Sequence, residues 1–587
     1  ELFGAVGDFD VSTELGTDNY QAFKEASQYA KENNLPIYVP NKKYLVDGYL
    51  EIFDSLIGEG TLYFPNNNPE ARLKISSKNE AIELETDNLN GLEEGSTQIT
   101  GLNGYANHTL IIESDELLIK RNNENTPFYN KKEVAIITDS EGNIIPALDN
   151  DYIKEKIRSV RVMPPESRLT VEVKILGFGI EDKDGNLIDF ERSNVIFSRV
   201  NAWSTGGHLK TAIAYRNCAL VEFYNVNISR ARFAGFGYGI SIGNSAFTTI
   251  MNTQVNDCRH ALSGRHGKSV LVSGGSFSDD IDSHWGSNYI ITGAKIKGRI
   301  LYAGKDLIIE NNEFNTDIQL FALRQDTPEV YGDIRIVRNK IRSRHTTSYF
   351  QVFALATSAT SFTFDRKLRT PDKITIKDNR FDVDENREVR MAHLTQAFNE
   401  PQQYDPVAVL EVENNEIVND NIAIITLPFN ENVKHYTGKC KVIIKDQELN
   451  GSDYTNRNLL IPDNQTEIKS EFLYDVEVTN CTDVSLVMDE TAVNKVVVKD
   501  SSSNYISRYA SHVPDNLTYG LLINGGELKD ATVGFRHQPY RLINVEMGGE
   551  MLFPTTDNLL VSIGTYALPG TSGLPGGIDF FSYNNAN

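Results

Sequence analysis

Three carboxylates, an imidazole and an indole fall within seven residues, Asp279 to Trp285, in the stretch SFSDDIDSHWGSN spanning 276–288. Asp280 and Asp282 flank Ile281. On an extended chain they point to the same side, about 6.6 Å apart by strand rise. Glycosidic hydrolysis requires such a pair: one carboxyl protonated as acid, the other ionised as base or nucleophile, roughly 5 to 9 Å apart. Crowding of like charges raises the affinity of one member for a proton. His284 is placed to orient or titrate against the pair. Asp280, Asp282 and His284 are therefore the candidate catalytic residues. Two other readings stay open. The stretch is a solvated turn, or Asp279, Asp280, Asp282 and His284 hold a cation; the favoured reading has neither metal nor cofactor.

Around this stretch an acidic chain turns locally basic, with Arg259, His260, Arg265, His266 and Lys268 close in sequence. Arg259, His260, Trp285, Arg299, Glu310 and Asp317 are the candidate substrate-binding residues. Trp285 would stack on a sugar ring, and the charged groups would hold hydroxyls or carboxylates.

What positions them is a repeat. The pattern apolar-x-apolar-x-x-Asn-x-apolar occurs at Leu307-Ile309-Asn312-Phe314, Ile334-Ile336-Asn339-Ile341, Ile374-Ile376-Asn379-Phe381 and Leu410-Val412-Asn415-Ile417. Looser copies run from Val171-Val173 to Val496-Val498, about 18 to 40 residues apart. The period of two marks short strands with one buried face. The Asn falls where the chain turns, and it tolerates left-handed backbone. One such strand cannot bury its face alone; stacked copies can. The spacing leaves no room for a crossover helix in each copy, so the expected fold is all-β, a right-handed parallel β-helix. Aligning Phe277, Ile296 and Phe314 brings Asp280, Arg299 and Asp317 to one offset. His260 joins them if its turn is one residue longer.

Composition excludes several classes. With 57 basic and 80 acidic side chains the net charge is −23, against nucleic-acid binding and docking on anionic lipid. No apolar run reaches the roughly 18 residues of a membrane span. Four scattered cysteines without a Cys-x-x-Cys pair read as reduced core thiols. Asp182-Lys-Asp184-Gly-Asn186 lacks the Gly and Glu positions of a calcium loop and reads as a hairpin turn.

The opening Phe3-Gly-Ala-Val-Gly-Asp8, the helical Asp18…Ala22-Phe23, and Ile37-Tyr-Val-Pro40 with Tyr44 resemble the start of pectate-lyase-like β-helix proteins, bacteriophage tailspike depolymerases above all. A longer loop at Phe9-Asp10-Val11 departs from the family's Gly-rich turn. The resemblance covers the first fifty residues by motif and about 170 to 505 by repeat. It implies a homotrimer that binds and depolymerises a bacterial surface polysaccharide, by glycosidic hydrolysis in preference to elimination, joined to the virion tail or baseplate through a part preceding Glu1, with no nucleic acid and no membrane insertion; a non-enzymatic receptor-binding adhesin and a polysaccharide lyase stay open as alternatives. The expected organisation is a capping helix and first rungs at 1–91, an inserted small domain at 92–165, the β-helix at 166–505, and a C-terminal module for trimerisation or carbohydrate binding at 506–587.

Overall fold

The computed structural model describes residues 3–587 apart from 121–127, 234, 325–328, 356–367, 395–403, 429–439, 453–454, 462–473, 490–492, 510–520, 536–539, 552–558, 564, 569–570, 574–580 and 583–587. The chain divides into two units, Glu1–Ile308 and Ile309–Asn587.

The first unit opens with helix α1, Tyr20–Asn33. Its N-cap is Asn19, so Asp18 lies just outside it. Asp18 still ties down the first turn: its Oδ1 accepts from the amides of Tyr20 and Asp47, each at 3.0 Å. Helix α1 buries Phe23, Ser27 and Ala30, and the Phe23 ring meets Tyr44 edge-on at 5.4 Å.

Beyond the helix the chain winds as a parallel β-helix with three strands to a coil. Val195–Ser198, Asn201–Ser204 and Leu209–Tyr215 make one coil; Cys218–Tyr224, Asn227–Ala231 and Tyr238–Ile242 make the next. Each strand pairs in parallel with its counterpart one coil on, so residues distant in sequence stack into columns. Phe197, Phe223, Ile250, Val272 and Ile291 form one inward column. Ala202, Ile228, Val255, Phe277 and Ile296 form the second, and Ile188, Ile213, Ile240, Leu262 and Ile281 the third. All fifteen are at most 2% exposed, and at about 25 cal/mol per Å² this continuous apolar ladder drives the fold. The Phe277–Ile296 alignment read from the sequence is the actual register. His260 pairs with Asp280 across a one-residue register shift, as the longer turn requires. The Asp182–Asn186 stretch is a correction. Lys183–Phe190 is a parallel strand, because Leu187, Ile188 and Phe190 supply a buried face.

An antiparallel five-stranded sheet is inserted between Arg72–Ile75 and Leu169–Phe178, two strands of the coil. Its first strand is Ile82–Glu83 and its last Ile157–Met163, so it begins earlier than residue 92. A hairpin within it sets Ile136 opposite Ile145 and Ile137 opposite Ile144. One face of this sheet carries its own core, including Leu89, Leu110, Ile112, Ile137, Val160 and Val162. The other face lays Ile111 and Val134 on Ala219 and Ala246 of the coil. Lys268 locks this junction. Its ammonium, on a side chain 5% exposed, lies 3.3 Å from Glu133 and 3.1 Å from Asp149 of the insert.

The second unit is also a parallel β-helix. Val412, Ile444, Val478, Val498, Ile523 and Leu542 stack in register. This column crosses residue 505, and parallel pairing continues to Phe581–Ser582, so the composition change after 505 does not interrupt the coil. The repeated Asn has a role the sequence reading missed. The left-handed residue is the one before it: Asn311, Arg338, Asp378 and Asn414 have φ between 50° and 57°. That turn drives the Asn side chain inward. The Asn339 carboxamide accepts from the backbone amide of Asn312 and donates to Ile309 O and Asn379 Oδ1. Asn312, Asn339, Asn379 and Asn415, each at most 5% exposed, so form a buried amide ladder that Gln447 continues. All four cysteines are free and buried, and burial raises each thiol pKa.

Candidate functional site

The third wall of the first unit carries two outward columns beside its apolar one. Asn186, Thr211, Tyr238, His260 and Asp280 form the first. Lys74, Asp189, Ala214, Ser241, Ser263 and Asp282 form the second. Six strands at about 4.8 Å give a length of roughly 24 Å. Ala214, Ser241 and Ser263 are small, so the middle of this surface is a trough. The inserted sheet stands over it, contributing Glu113, Tyr129, Asn130, Lys132 and Arg158. Wall and insert together enclose a trench of about 1000 Å³.

The sequence candidates are placed unequally. His284 lines the trench. Asp282 lies behind it, fully buried, with Oδ2 at 3.4 Å from His284 Nε2 and 3.9 Å from His260 Nε2. His260 stacks flat on Tyr238 with centroids 5.9 Å apart. Asp280 is held by Arg299, whose guanidinium donates at 2.9 Å and whose amide donates at 2.8 Å. Several expectations are corrected. Asp280 and Asp282 do not present an open pair of carboxylates, because one sits in an ion pair and the other under histidines. Trp285 is 4% exposed; its indole offers no face to a sugar. Arg259 is spent on the loop beside it, donating to Gly235 O. Glu310 and Asp317 belong to the second unit. There Glu310 pairs with Arg338 at 3.0 Å, and the Asp317 carbonyl accepts from Arg387 and Ser343. Asp279, offered as a cation ligand, is occupied by Arg232 and by the Cys258 amide, and no cluster of three His, Cys, Asp or Glu suited to a metal occurs among the described residues.

Other trench residues were not singled out as candidates. Asp189 and Glu191 repeat the alternate-residue carboxylate spacing of Asp280 and Asp282, a signal present in the sequence. Glu113 and Tyr129 come from the insert, and nothing in the repeat pattern points to them. Each trench carboxylate has a cation. Asp189 lies 3.2 Å from Arg72 and 3.5 Å from Lys74; Glu191 bonds Arg216; Glu113 bonds Lys132 and Arg158, each at 2.8 Å. Burial pushes the Glu113 pKa up, but the hydrogen bonds and charges of Lys132 and Arg158 outweigh it and hold the carboxyl below its ordinary value. Arg265 differs. It is exposed, lies over the Tyr129 ring at 5.3 Å, and has no carboxylate partner among the described residues. The same Tyr129 ring meets His284 and His266 edge-on, each at 6.0 Å. His266 is partly buried with Nδ1 enclosed. Burial, with the charges of Lys132 and Arg265, pulls its pKa down to about 3 and keeps it neutral.

No protein-family model and no curated protein matches the chain. Among solved structures it is similar to the tailspike gp61 of Pseudomonas phage phi297, at 12% identity over 80% of each chain with a TM-score of 0.49. It is also similar to the tailspike gp49 of Pseudomonas phage LKA1, at 14% identity over 99% of this chain and 82% of that one, TM-score 0.38. A third is the gp54 tailspike of Acinetobacter baumannii bacteriophage AP22, in complex with A. baumannii capsular saccharide. It is 12% identical over 94% of this chain and 77% of that one, TM-score 0.38.

Proposed function

We propose that the chain is a phage tailspike that binds a bacterial surface polysaccharide in the trench and depolymerises it at the host surface, as a homotrimer carried on the virion tail. One observation carries the reading: an elongated trench runs across successive coils, with a small-residue floor and walls of paired charges and aromatic rings. Its length suits a polymer better than a single small molecule. The aromatic and amide groups on its walls are those that hold sugar rings and hydroxyls. The reactive unit is His284 backed by Asp282. A buried carboxylate 3.4 Å from an imidazole nitrogen favours the ring's taking up a proton during the reaction. Asp280 with Arg299 is assigned to positioning at the end of the floor.

Purified protein added to a panel of capsular and O-antigen polysaccharides tests this, with chain length followed by size-exclusion chromatography. Shortening of at least one polysaccharide supports the reading. Binding without shortening across the panel makes the protein an adhesin, and neither binding nor shortening removes the proposal.

A further inference from the structure

We infer that Lys268 and Asp149 condense into an amide, an intramolecular cross-link between coil and insert, with Glu133 carrying the protons. The inference concerns how the roof of the trench is fixed and does not depend on what the trench binds.

Three observations lead there. The first is burial. The side chains of Lys268, Glu133 and Asp149 are 5%, 4% and 12% exposed. Every other ion-paired lysine among the described residues is at least 16% exposed. The second is contact. Lys268 Nζ lies 3.1 Å from Asp149 Oδ2 and 3.3 Å from Glu133 Oε2, and it donates to the Ala147 carbonyl. A nucleophile, an acyl carbon and a second carboxyl thus meet at one point, held by the packed fold, which is how bound geometry replaces a bimolecular encounter. Trp285, Gly286 and Ser287 help to close the space around them to about 10 Å³, room for at most about one water, so hydrolysis of the product is disfavoured. The third is a division of roles between the carboxyls. Glu133 Oε1 accepts from the Asp149 amide at 2.8 Å and from Asn150 Nδ2 at 2.7 Å, which leaves Oε2 to face the ammonium. Burial outweighs the Lys268 charge and, with Asp149, pushes the Glu133 pKa up to about 7. Near neutral pH this carboxyl therefore both gives and accepts a proton, as amide formation requires.

The step balances within the three side chains. The Lys268 ammonium passes one proton to the Asp149 carboxylate, leaving an amine beside a carboxylic acid. The nitrogen lone pair attacks Asp149 Cγ and forms the C–N bond. Glu133 takes a second proton from the nitrogen and delivers it to the Asp149 hydroxyl. The C–O bond breaks, and that oxygen leaves as water with the bonding electron pair. The amide keeps one hydrogen, Glu133 ends as it began, and nothing is oxidised or reduced. In the unreacted chain the ion pair alone holds the junction; the amide makes it permanent and restricts the unfolded chain as any cross-link does.

The test is the intact mass of the full chain under denaturing conditions, followed by peptide mapping. The expected mass is that of the sequence less one water, with a branched peptide joining the segments around Asp149 and Lys268. Lys268→Arg should show its full sequence mass with an unchanged circular dichroism spectrum. Glu133→Gln should slow condensation about 100-fold or more, read as the fraction condensed against time after folding. Asp149→Asn should lose ammonia in place of water, because the same carbon then carries an amide nitrogen. A wild-type chain at full sequence mass would overturn the proposal whatever the variants do. Water loss mapped to other residues, or Asp149→Asn still losing water, would overturn the Lys268–Asp149 bond. Condensation of Glu133→Gln at the wild-type rate would overturn the role of Glu133. Each of these outcomes leaves the polysaccharide reading standing.

Discussion

Replacing Lys268 by Met should loosen the insert from the coil, and the size of the effect follows from what the ammonium touches. Lys268 stands between Glu133 and Asp149 at 3.3 and 3.1 Å, with its side chain 5% exposed. Methionine keeps much of the volume and removes the charge. The two carboxylates then share a buried space without a cation, and breaking a buried pair this way costs about 3–5 kcal/mol. Protonating Glu133 relieves that cost, since burial and Asp149 together outweigh Lys268 and push its pKa up to about 7. The penalty should therefore be near its full size at pH 8 and much smaller at pH 5. Because the insert has its own core, the loss should appear as local opening and not as global unfolding. Hydrogen exchange of peptides covering Phe128–Ile137 measures it. About 3–5 kcal/mol corresponds to roughly 10²- to 4 × 10³-fold faster exchange at pH 8, with exchange in the second unit unchanged. A loss below about 1 kcal/mol at pH 8, or an equal loss at both pH values, would refute the reasoning.

Four further outcomes are expected. In the wild type, Glu133 has a folded pKa above its unfolded value of about 4.5. The stability it contributes is thus complete below pH 4.5 and is lost as pH rises through about 7; Glu133→Gln should flatten the pH dependence of exchange at the junction. Asn339→Ala removes a rung of the amide ladder and takes one hydrogen-bond partner from the Asn312 amides and from the carbonyl of Ile309. It should cost about 2–4 kcal/mol in the second unit, read by denaturant unfolding. Ile240→Ala opens a void in the third apolar column and should cost about 2–5 kcal/mol, seen as a lowered Tm. Asp282→Asn keeps the volume behind His284 and removes its charge. Turnover on a cleaved polysaccharide should fall about 100-fold or more with KM little changed, and unaltered turnover would remove Asp282 from the reaction.

The coil was legible because it is written in local alternation. Val-x-Val and Ile-x-Ile pairs announce strands with one buried face, and the Phe277–Ile296 alignment gave the register of neighbouring coils from sequence alone. The buried Asn ladder was half legible. The spacing marked the turn, but whether residue 338 or 339 takes the left-handed backbone depends on which side chain the neighbouring coil can bond. The trench was the least legible part. Its floor lies on the wall that the alignment identified, yet its roof comes from residues 82–163, folded on a different plan. No periodicity says that Tyr129 meets Arg265 and His284. Burial misled at Trp285 and Asp282 for the same reason. Asp282 is outward by alternation with Ile281, and Trp285, three residues on, falls on the opposite face, yet both are buried in the folded unit.

Ser241 stands in the floor of the trench, two coils from Asp282 in the same column, so an indole there narrows the path of a polymer without replacing His284 or Asp282. Chain-length analysis of a cleaved polysaccharide, wild type beside Ser241→Trp at matched Tm, tests the account most directly. The account predicts that Ser241→Trp leaves the polymer at full length and loses affinity for it. Shortening by Ser241→Trp at the wild-type rate would mean that the sugar chain is cut somewhere else.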